Sequence, residues 1–544
     1  MTKEALASFR PGIILAGPVS GIVIYTGVLP MTHQYLLAID QGTTGSTVLV
    51  LDISQATAPQ LIGKHTVDFK QYYPKTGWVE HDPDEILGSV RQACRAALEQ
   101  ARTARPEFSP AALVGIGITN QRETLCTFDR KTGRPLAKAI VWQDKRSSAV
   151  CTRLKEDGCE DAFRAATGLV LDPYFSGTKM TWLLENNSTV ATAIREGRAV
   201  WGTIDTWLLH ALTGGGVFAT EASNASRTLA YNIHTGRFDE NLLEMLGLPS
   251  ADCLPEVMDS AGIFGKTRGL DFLPDGIPIA GILGDQQAAL AGQACFEEGE
   301  AKCTYGTGAF MLLNTGADAR VSDAGMLTTV AWSLNGRRTM ALEGSSFIAG
   351  AAIQFLRDQL GLIDQASRSA ELAAPHRSAP ELYFVPALAG LGAPYWDPAA
   401  TGAFFGLTRG TEKGQLIRAA LEGMAFSVGD LFESMARDYP GLQKSLRVDG
   451  GAAANDLLMQ MQADISGIRV DRPVNLETTA FGAAMFAGLG TGLYSDLDDL
   501  KNARAMDRCF EPDLSQDGRN RISGMREGWV RAVRAVQVFA GTHA

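Results

Sequence analysis

One stretch near the start of the chain decides the fold: Tyr35-Leu-Leu-Ala-Ile-Asp-Gln-Gly-Thr-Thr-Gly-Ser-Thr-Val-Leu-Val-Leu-Asp52. Two apolar runs flank a tip that is rich in glycine and threonine, and this pattern predicts two buried strands joined by a tight turn. Asp40 ends the first strand, where a carboxylate is costly to bury without a partner. A magnesium ion that bridges phosphate oxygens would compensate Asp40, so the hairpin predicts a phosphate site.

Strands and helices alternate along the chain outward from this hairpin. Asp82 and Pro83 begin a helix, with the aspartate as the cap and the proline at the first helical position. Apolar runs at 113–118, 277–282 and 446–448 predict further buried strands. This alternation predicts an α/β fold.

The second half of the chain repeats the first in architecture. Residues 301–315 predict a strand, a turn at Gly306-Thr-Gly308 and a returning strand. We therefore expect an N-terminal domain over residues 31–294 and a C-terminal domain over residues 295–544, with a cleft between them.

Composition excludes several classes of function. The chain has 544 residues and a formal net charge of −11, which argues against a nucleic-acid partner or an anionic membrane surface. Its 58 glycines follow no collagen period, so we expect the excess to lie in folded structure. The 8 cysteines form no Cys-x-x-Cys pair, which favours free thiols and a location in the cytoplasm.

Residues 1–30 need a separate interpretation. The segment from Ile13 to Leu29 is apolar but is interrupted by glycine and proline. It is long for the apolar core of a secretory signal and short for a membrane span, so we expect no stable membrane insertion. We expect a disordered or non-native extension, with the folded chain beginning at Met31.

Two well-known phosphate-binding loops do not fit this sequence. Gly265-Lys-Thr267 has the ending of a P-loop, but Ser260 stands where its first glycine is needed. Gly306-x-Gly308 lacks the third glycine of a dinucleotide fingerprint. The hairpin tips are better candidates, since backbone N–H groups and hydroxyls can hold an anion without a lysine. The tip residues with that chemistry are Thr43, Thr44, Gly45 and Thr307.

A series of short stretches, in order from about residue 35 to about residue 495, resembles the FGGY carbohydrate kinases. These stretches are Asp40-Gln-Gly-Thr-Thr44, Gly117-Ile-Thr-Asn-Gln-Arg-Glu-Thr124, Ala139-Ile-Val-Trp-Gln143, Gly168-Leu-Val-Leu-Asp-Pro-Tyr-Phe-Ser-Gly-Thr-Lys179, Asp205-Thr-Trp-Leu208, Asn224-Ala-Ser-Arg-Thr228, Gly284-Asp-Gln-Gln-Ala-Ala289, Thr304-Tyr-Gly-Thr-Gly308, Gly392-Ala-Pro-Tyr-Trp-Asp397 and Val448-Asp-Gly-Gly451.

The resemblance implies a fold and a reaction. The fold is a pair of actin-like, ribonuclease-H-like α/β domains with an ATP and substrate cleft between them. The reaction is the ATP-dependent phosphorylation of a polyol. Two of the stretches, Asn120-Gln-Arg-Glu123 and Asp172-Pro-Tyr-Phe-Ser-Gly-Thr-Lys179, indicate glycerol as the polyol. The product would be sn-glycerol 3-phosphate, formed in glycerol catabolism.

The resemblance also implies roles for individual residues. Asp285 would be the general base, at the start of a helix that keeps its carboxylate ionised. The residues that would bind glycerol are Arg122, Glu123, Trp142, Tyr174, Asp285, Gln286 and Phe310. From the tips and the resemblance together, the residues expected beside the nucleotide are Thr43, Thr44, Gly45, Thr307, Gly350, Gln354, Gly451 and Asn455, with Asp40 at the magnesium ion.

The residues by themselves also fit structural roles. Arg122 and Glu123 fit a solvated ion pair on a loop. Asp285 fits a helix N-cap, and the aromatic residues Trp142 and Phe310 fit a hydrophobic core.

Other functions are weighed against the polyol kinase. One is a kinase for another polyol or a sugar, and another is an actin-like ATPase whose closure serves a protein partner or filament. The pairs Arg122-Glu123 and Asp285-Gln286 favour a kinase, because a filament protein has no reason to carry them. We expect a homo-oligomer, either a dimer or a tetramer. Thr47 stands where the resemblance implies an arginine that touches nucleotide phosphate, which predicts weaker retention of ADP.

Overall fold

A computed structural model describes residues 34–376 and 381–542. Within them, two large sheets form the framework, one of six strands from residues 35–284 and one of seven strands from residues 301–510. The extension predicted for residues 1–30 lies outside the described residues. The domain boundary at residue 295 stays a prediction; it falls between the last strand of the first sheet and the first strand of the second.

The strands of the described chain are β1 Tyr35–Gln41, β2 Gly45–Asp52, β3 Gln60–Asp68, β4 Glu80–His81, β5 Leu113–Asn120, β6 Cys126–Asp129, β7 Ala139–Ile140, β8 Ala199–Gly202, β9 Ala219–Glu221, β10 Tyr231–Asn232, β11 Arg237–Phe238, β12 Glu256–Met258, β13 Ala261–Lys266, β14 Pro278–Gly284, β15 Ala301–Tyr305, β16 Ala309–Gly316, β17 Leu327–Leu334, β18 Arg337–Ser346, β19 Tyr383–Val385, β20 Ala403–Phe405, β21 Ser445–Asp449, β22 Arg469–Pro473 and β23 Met506–Phe510.

The α-helices of the described chain are α1 Pro83–Ala104, α2 Ser148–Glu156, α3 Glu160–Thr167, α4 Ser176–Asn186, α5 Ser188–Arg195, α6 Ile204–Leu212, α7 Ala222–Ala225, α8 Glu240–Met245, α9 Asp285–Gly292, α10 Gly350–Asp358, α11 Ser369–Ala373, α12 Lys413–Asp438, α13 Asp456–Ser466, α14 Thr478–Gly490, α15 Leu497–Lys501 and α16 Gln516–Ala540. No helix within residues 34–376 and 381–542 is long and apolar enough to span a bilayer.

Both large sheets share one core topology. In the first, the antiparallel strands β3, β2 and β1 are followed by β5 and β14, which run parallel to β1. In the second, β18, β16 and β15 are antiparallel, and β21 and β22 follow parallel to β15. Both predicted hairpins are present, with their tips at residues 42–44 and 306–308. The α/β fold class and the architectural repeat are therefore confirmed.

Helix α1 begins where the sequence predicts. The Asp82 side chain accepts a hydrogen bond from the Asp84 amide at 3.0 Å, and Pro83 is the first helical residue. The buried side of the helix packs on the first sheet, where a Cβ atom on Gly63 would lie only 2.2 Å from the carbonyl oxygen of Ala97. The cap and this close contact together set the helix against β3.

Helices α9 and α14 join the two sheets. Helix α14 comes from the second half of the sequence but packs on β1, β5 and β14, whereas α9 contacts β15 and β16 of the second sheet. The two helices meet backbone to backbone, because a Cβ atom on Gly482 would lie 1.9 Å from the carbonyl oxygen of Ala288. A Cβ atom on Gly292 would likewise lie 2.0 Å from the carbonyl oxygen of Thr478. Since α9 begins at Asp285, this contact also holds the predicted base.

We expect Gly482→Ala to destabilise the protein by about 1–3 kcal/mol, because the added methyl group forces α14 away from α9. Gly524→Ala is the matched control, since Gly524 also lies in a helix but has no atom within 4 Å of its Cβ position. Alanine is favoured over glycine inside a helix, so the control should be neutral or stabilising. Thermal unfolding followed by circular dichroism measures both, and equal midpoints would contradict the close-packing argument.

Candidate active site

The predicted site residues of the first half meet at one edge of the first sheet. Asp40 lies near the end of β1, Arg122 follows β5, and Asp285 directly follows β14. These three strands are parallel neighbours, so their carboxyl ends lie at the same edge. Ligands of parallel α/β sheets bind at that kind of edge.

Arg122 makes the central contacts of the site. Its Nε atom lies 3.1 Å from Oδ1 of Asp285. Its two terminal nitrogens bind the two carboxylate oxygens of Glu343, with Nη2 at 2.9 Å from Oε1. Because only 2% of the Arg122 side chain is exposed, a solvated ion pair on a loop is excluded.

Glu123 is buried beside Arg122 in a strained backbone conformation. Its Oε1 atom accepts a hydrogen bond from Nε of Arg227 at 2.6 Å. Its φ angle is 60°, in the left-handed region that non-glycine residues rarely adopt. Its carbonyl oxygen accepts a hydrogen bond from the Ser176 hydroxyl at 2.9 Å. Strain of this kind persists where surrounding contacts enforce it, and it is concentrated at functional sites.

Arg227 and Glu343 complete this network, although their sequence pattern predicts no role for either residue. Arg227 Nη2 donates to Glu343 Oε1 at 3.0 Å. Burial opposes ionisation of Glu343, but the charges of Arg122 and Arg227 outweigh it and lower its pKa to about 2. The sequence carries a signal for each of these two residues. Arg227 lies in a stretch that resembles the family, and Glu343 interrupts the apolar run that begins at Met340.

Asp285 is the first residue of α9, and Gly284 is the capping residue. The N-cap alternative for Asp285 is therefore wrong. Its Oδ1 atom accepts a hydrogen bond from the Gln286 amide at 2.7 Å, and 30% of its side chain stays exposed to a substrate. Burial raises the pKa of Asp285 above its ordinary value, and the charge of Arg122 opposes that rise. The group is thus a reachable carboxylate of increased basicity.

Two of the predicted aromatic residues lie together beside the charged network. The rings of Trp142 and Tyr174 pack edge to face, with centroids 5.5 Å apart. The Arg227 guanidinium lies 5.7 Å from the centroid of the Tyr174 ring, within reach of a cation–π interaction. Phe310 is half-buried on β16, opposite Thr304 of β15, so it comes from the second half of the chain.

Gln286 is held by a buried lysine for which the sequence predicts no role. Nζ of Lys302 donates to Oε1 of Gln286 at 2.6 Å and to the Thr304 hydroxyl at 2.8 Å. Burial lowers the pKa of Lys302, and the negative charge of Asp449 opposes this. Lys302 thus ties the start of α9 to the second sheet, although its only sequence signal is a charge within a short apolar strand.

The first hairpin tip carries its threonines as predicted. The Thr43 hydroxyl accepts a hydrogen bond from Nε1 of Trp142 at 2.9 Å, which leaves its own proton free to donate. The Thr43 carbonyl oxygen accepts from Nε2 of Gln71 at 2.9 Å. Thr44 is exposed.

Gly45 has a structural reason to be glycine. A Cβ atom there would lie 2.8 Å from Oδ1 of Asp68 on the neighbouring strand. Two residues on, the Thr47 hydroxyl meets the Thr66 hydroxyl of β3 at 2.8 Å. The roles predicted for Gly45 and Thr47 toward the nucleotide stay predictions.

A chain of buried and half-buried polar side chains supports this tip. His81 Nε2 lies 2.5 Å from Oε1 of Gln71, and its Nδ1 lies 3.3 Å from Nε2 of Gln121. Gln121 Nε2 also donates to the Gly42 carbonyl oxygen at 3.2 Å. A neutral imidazole with its proton on Nε2 satisfies both partners. Burial lowers the pKa of His81 to about 4, in agreement with the neutral form.

The second hairpin tip is docked on helix α10. The amides of Ala349 and Ala351 donate to the Thr307 carbonyl oxygen at 2.8 and 3.1 Å, and the Gly350 amide donates to the Gly306 carbonyl oxygen at 2.9 Å. These amides are therefore used within the protein. Thr307 is exposed at the tip, and Gln354 is exposed one turn into the helix.

Gly451 and Asn455 follow β21, as predicted, at the carboxyl edge of the second sheet. A Cβ atom on Gly451 would meet nothing within 4 Å, so the backbone there is open to a ligand. The Asn455 side chain caps α13 by accepting from the Leu458 amide at 3.0 Å, and it donates to the Ser369 hydroxyl at 3.2 Å. Its predicted contact with the nucleotide stays a prediction.

Asp40 is the candidate metal residue. It is half-buried, and burial followed by the negative charge of Asp285 raises its pKa to about 8. Within the described residues, no group of three or more His, Cys, Asp or Glu side chains is placed to hold a metal ion. A lone carboxylate fits magnesium, which keeps most of its ligands as water and phosphate oxygens.

Hydroxyl-rich tips that could hold an anion, and a reachable carboxylate beside an arginine, are suited to the transfer of a phosphoryl group to an alcohol. The chain belongs to the FGGY family of carbohydrate kinases. The model of the family's N-terminal domain matches residues 35–292, and the model of its C-terminal domain matches residues 301–491.

Relatives of the chain within this family include glycerol kinases. The glycerol kinase of Myxococcus xanthus (strain DK1622) is 49% identical over 502 residues, which are 92% of this chain and 99% of the relative. The glycerol kinase of Halorhodospira halophila (strain DSM 244 / SL1) is 50% identical over 504 residues, 93% of this chain and 97% of the relative. The crystal structure of Plasmodium falciparum glycerol kinase with ADP is 34% identical, covers 93% of this chain and 98% of that chain, and superposes with a TM-score of 0.83.

We expect His81 to lower the stability of the folded protein at acid pH. Its pKa is about 4 when folded and near 6.5 when unfolded, so the unfolded chain binds the extra proton between these values. The folded protein therefore keeps its full stability above pH 6.5 and loses stability as the pH falls toward 4. The His81 shift accounts for about 3 kcal/mol of that loss. Thermal midpoints of the wild type and of His81→Gln, measured from pH 7 to pH 4, should converge at low pH. If the two curves of thermal midpoint against pH run parallel, the acid loss of stability does not come from His81.

Proposed function

We propose that the protein catalyses the ATP-dependent phosphorylation of glycerol to sn-glycerol 3-phosphate in glycerol catabolism. The observation that carries this proposal is the contact between Arg122 and Asp285 at the sheet edge, beside the buried Glu123. A cation, an accessible carboxylate and a second carboxylate lie close together there, which supports a site for a small polyol. The 49% and 50% identity to glycerol kinases over more than nine-tenths of the chain supports glycerol rather than a sugar.

Glycerol recognition would use complementary hydrogen bonds. Each glycerol hydroxyl can donate and accept, whereas Arg122 only donates and ionised Glu123 only accepts. Both side chains are already paired inside the protein, so little side-chain entropy remains to be lost on binding. The edge-to-face pair of Trp142 and Tyr174 would supply an apolar wall for the carbon chain, and we propose that Gln286 and Phe310 complete the pocket.

In the transfer step, Asp285 accepts the proton of the attacking hydroxyl while that oxygen bonds to the γ-phosphorus of ATP. The bond from the γ-phosphorus to the oxygen that bridges to the β-phosphate breaks, and ADP leaves with that electron pair. A carboxylate is a sufficient base, because the transition state is loose and the proton leaves late. The exposed part of Asp285 then lets the proton pass to water.

We propose that the hairpin tips hold the nucleotide phosphates. Thr43, Thr44 and Thr307 would donate their hydroxyl protons, and the open backbone at Gly451 would allow the adenosine to approach. When bound, a magnesium ion would neutralise charge on the phosphate oxygens. Asp40 would hold it, through water where the distance requires. Gly350, Gln354 and Asn455 border the same region by resemblance.

We expect Asp285→Asn to lower kcat by about 10²–10⁴-fold while glycerol still binds, because the amide cannot accept the proton. Steady-state kinetics with glycerol, together with calorimetric binding of glycerol, separate the two effects. The control is Asp271→Asn, an exposed aspartate whose partners are Arg91 and Arg95, and it should keep wild-type turnover. Near-normal turnover in Asp285→Asn would exclude the residue as the base.

A substrate panel tests the proposed function directly. We expect glycerol to have the highest kcat/KM in an ADP-release assay with glycerol, erythritol, xylulose and ribitol. A better substrate among the other three would indicate a kinase for another polyol or a sugar. ATP turnover that is independent of every polyol would instead favour an actin-like ATPase.

Two further features stay predictions. They are the location in the cytoplasm and the assembly into a dimer or tetramer. Sedimentation analysis of the purified protein would establish the second.

A further inference from the structure

The predicted polyol-binding pair is held by a residue from the other half of the chain. Arg122 and Glu123 belong to the first half, on the loop after β5, whereas Glu343 lies on β18 of the second sheet. Glu343 binds both terminal nitrogens of Arg122, and this two-point contact fixes the plane of the guanidinium. Both carboxylate oxygens of Glu343 are occupied by Arg122 and Arg227, so we assign this side chain no direct contact with a substrate.

Arg227 links the Glu343 carboxylate to Glu123, the second member of the predicted polyol-binding pair. It donates to Glu343 Oε1 at 3.0 Å and to Glu123 Oε1 at 2.6 Å, and it is fully buried. One glutamate therefore orients Arg122 directly and Glu123 through Arg227. Two arginines and two glutamates balance in charge, which is the condition for burying them.

We propose that Glu343 is the positioning residue for polyol recognition, so that the pocket in the first half is correctly shaped only when β18 of the second half is in place. This inference rests on the proposed function. It goes further by assigning the selectivity for substrate hydroxyls to a residue that does not touch the substrate.

The test compares glycerol with two diols that each lack one hydroxyl, 1,2-propanediol and 1,3-propanediol. For the wild type and for Glu343→Gln, the ratio of kcat/KM for glycerol to kcat/KM for each diol is measured. Loss of the charged two-point contact should lower at least one ratio by about 10- to 100-fold, the usual effect of a charge-assisted hydrogen bond. A ratio does not depend on the fraction of active enzyme, so simple loss of folded protein leaves it unchanged.

Two further variants complete the design. Glu343→Asp keeps the charge on a shorter side chain and should restore part of the ratio. Asp430→Asn is the matched control, because Asp430 of α12 is a buried carboxylate paired with Arg526 of α16 at 2.9 Å. Its other partners, Tyr395 and Trp529, also lie outside the network of Arg122, Glu123, Arg227 and Glu343. It should lower the melting temperature and leave both ratios at the wild-type value.

The outcomes separate this inference from the function on which it rests. If the wild type shows no preference for glycerol over the diols, the proposed function fails. If the wild type prefers glycerol but Glu343→Gln keeps both ratios, Glu343 is only structural and the inference is overturned. If Glu343→Gln is recovered unfolded, Glu343→Asp decides by the same ratios, since a shortened carboxylate should still reduce them measurably.

Discussion

The backbone contact between α9 and α14 is the constraint on which the rest of the molecule depends. Gly292 and Gly482 have no Cβ atoms, and the two helices can therefore approach until carbonyl oxygens occupy the positions where Cβ atoms would stand. Each helix follows the last parallel strand of one sheet and packs on the other. The contact thus joins the sheets, and it holds the start of α9, where Asp285 projects into the site.

The buried charges around Arg122 serve geometry more than stability. Taking four charged side chains out of water costs several kcal/mol per ion, and their mutual attraction does little more than offset this cost. What the buried charges provide is a fixed arrangement of the side chains. Arg122 has its guanidinium locked by Glu343, and Asp285 stays accessible at 3.1 Å from the same arginine. Rigid placement of this kind reduces the entropy that binding and catalysis would otherwise lose.

The local sequence pattern is sufficient to predict some features of the structure but not others. The two hairpins, the cap at Asp82 and the position of Asp285 between strand and helix follow from residues that are neighbours in sequence. Arg122 and Glu123 were ambiguous, because a charged pair after a strand has the same pattern whether it is solvated or buried. Glu343 and Lys302 were missed, since a charge inside an apolar strand signals burial but does not identify its partner.

By itself, the sequence determined the α/β class, the repeated hairpins with their glycine- and threonine-rich tips, and, through ordered motifs, the resemblance to a kinase family. These depend on local backbone preference and on short motifs. Only the tertiary structure decided that Arg122 is buried against Glu343 and that Lys302 holds Gln286. The partners come from strands far apart in the chain, and charges find buried partners only after the sheets have packed.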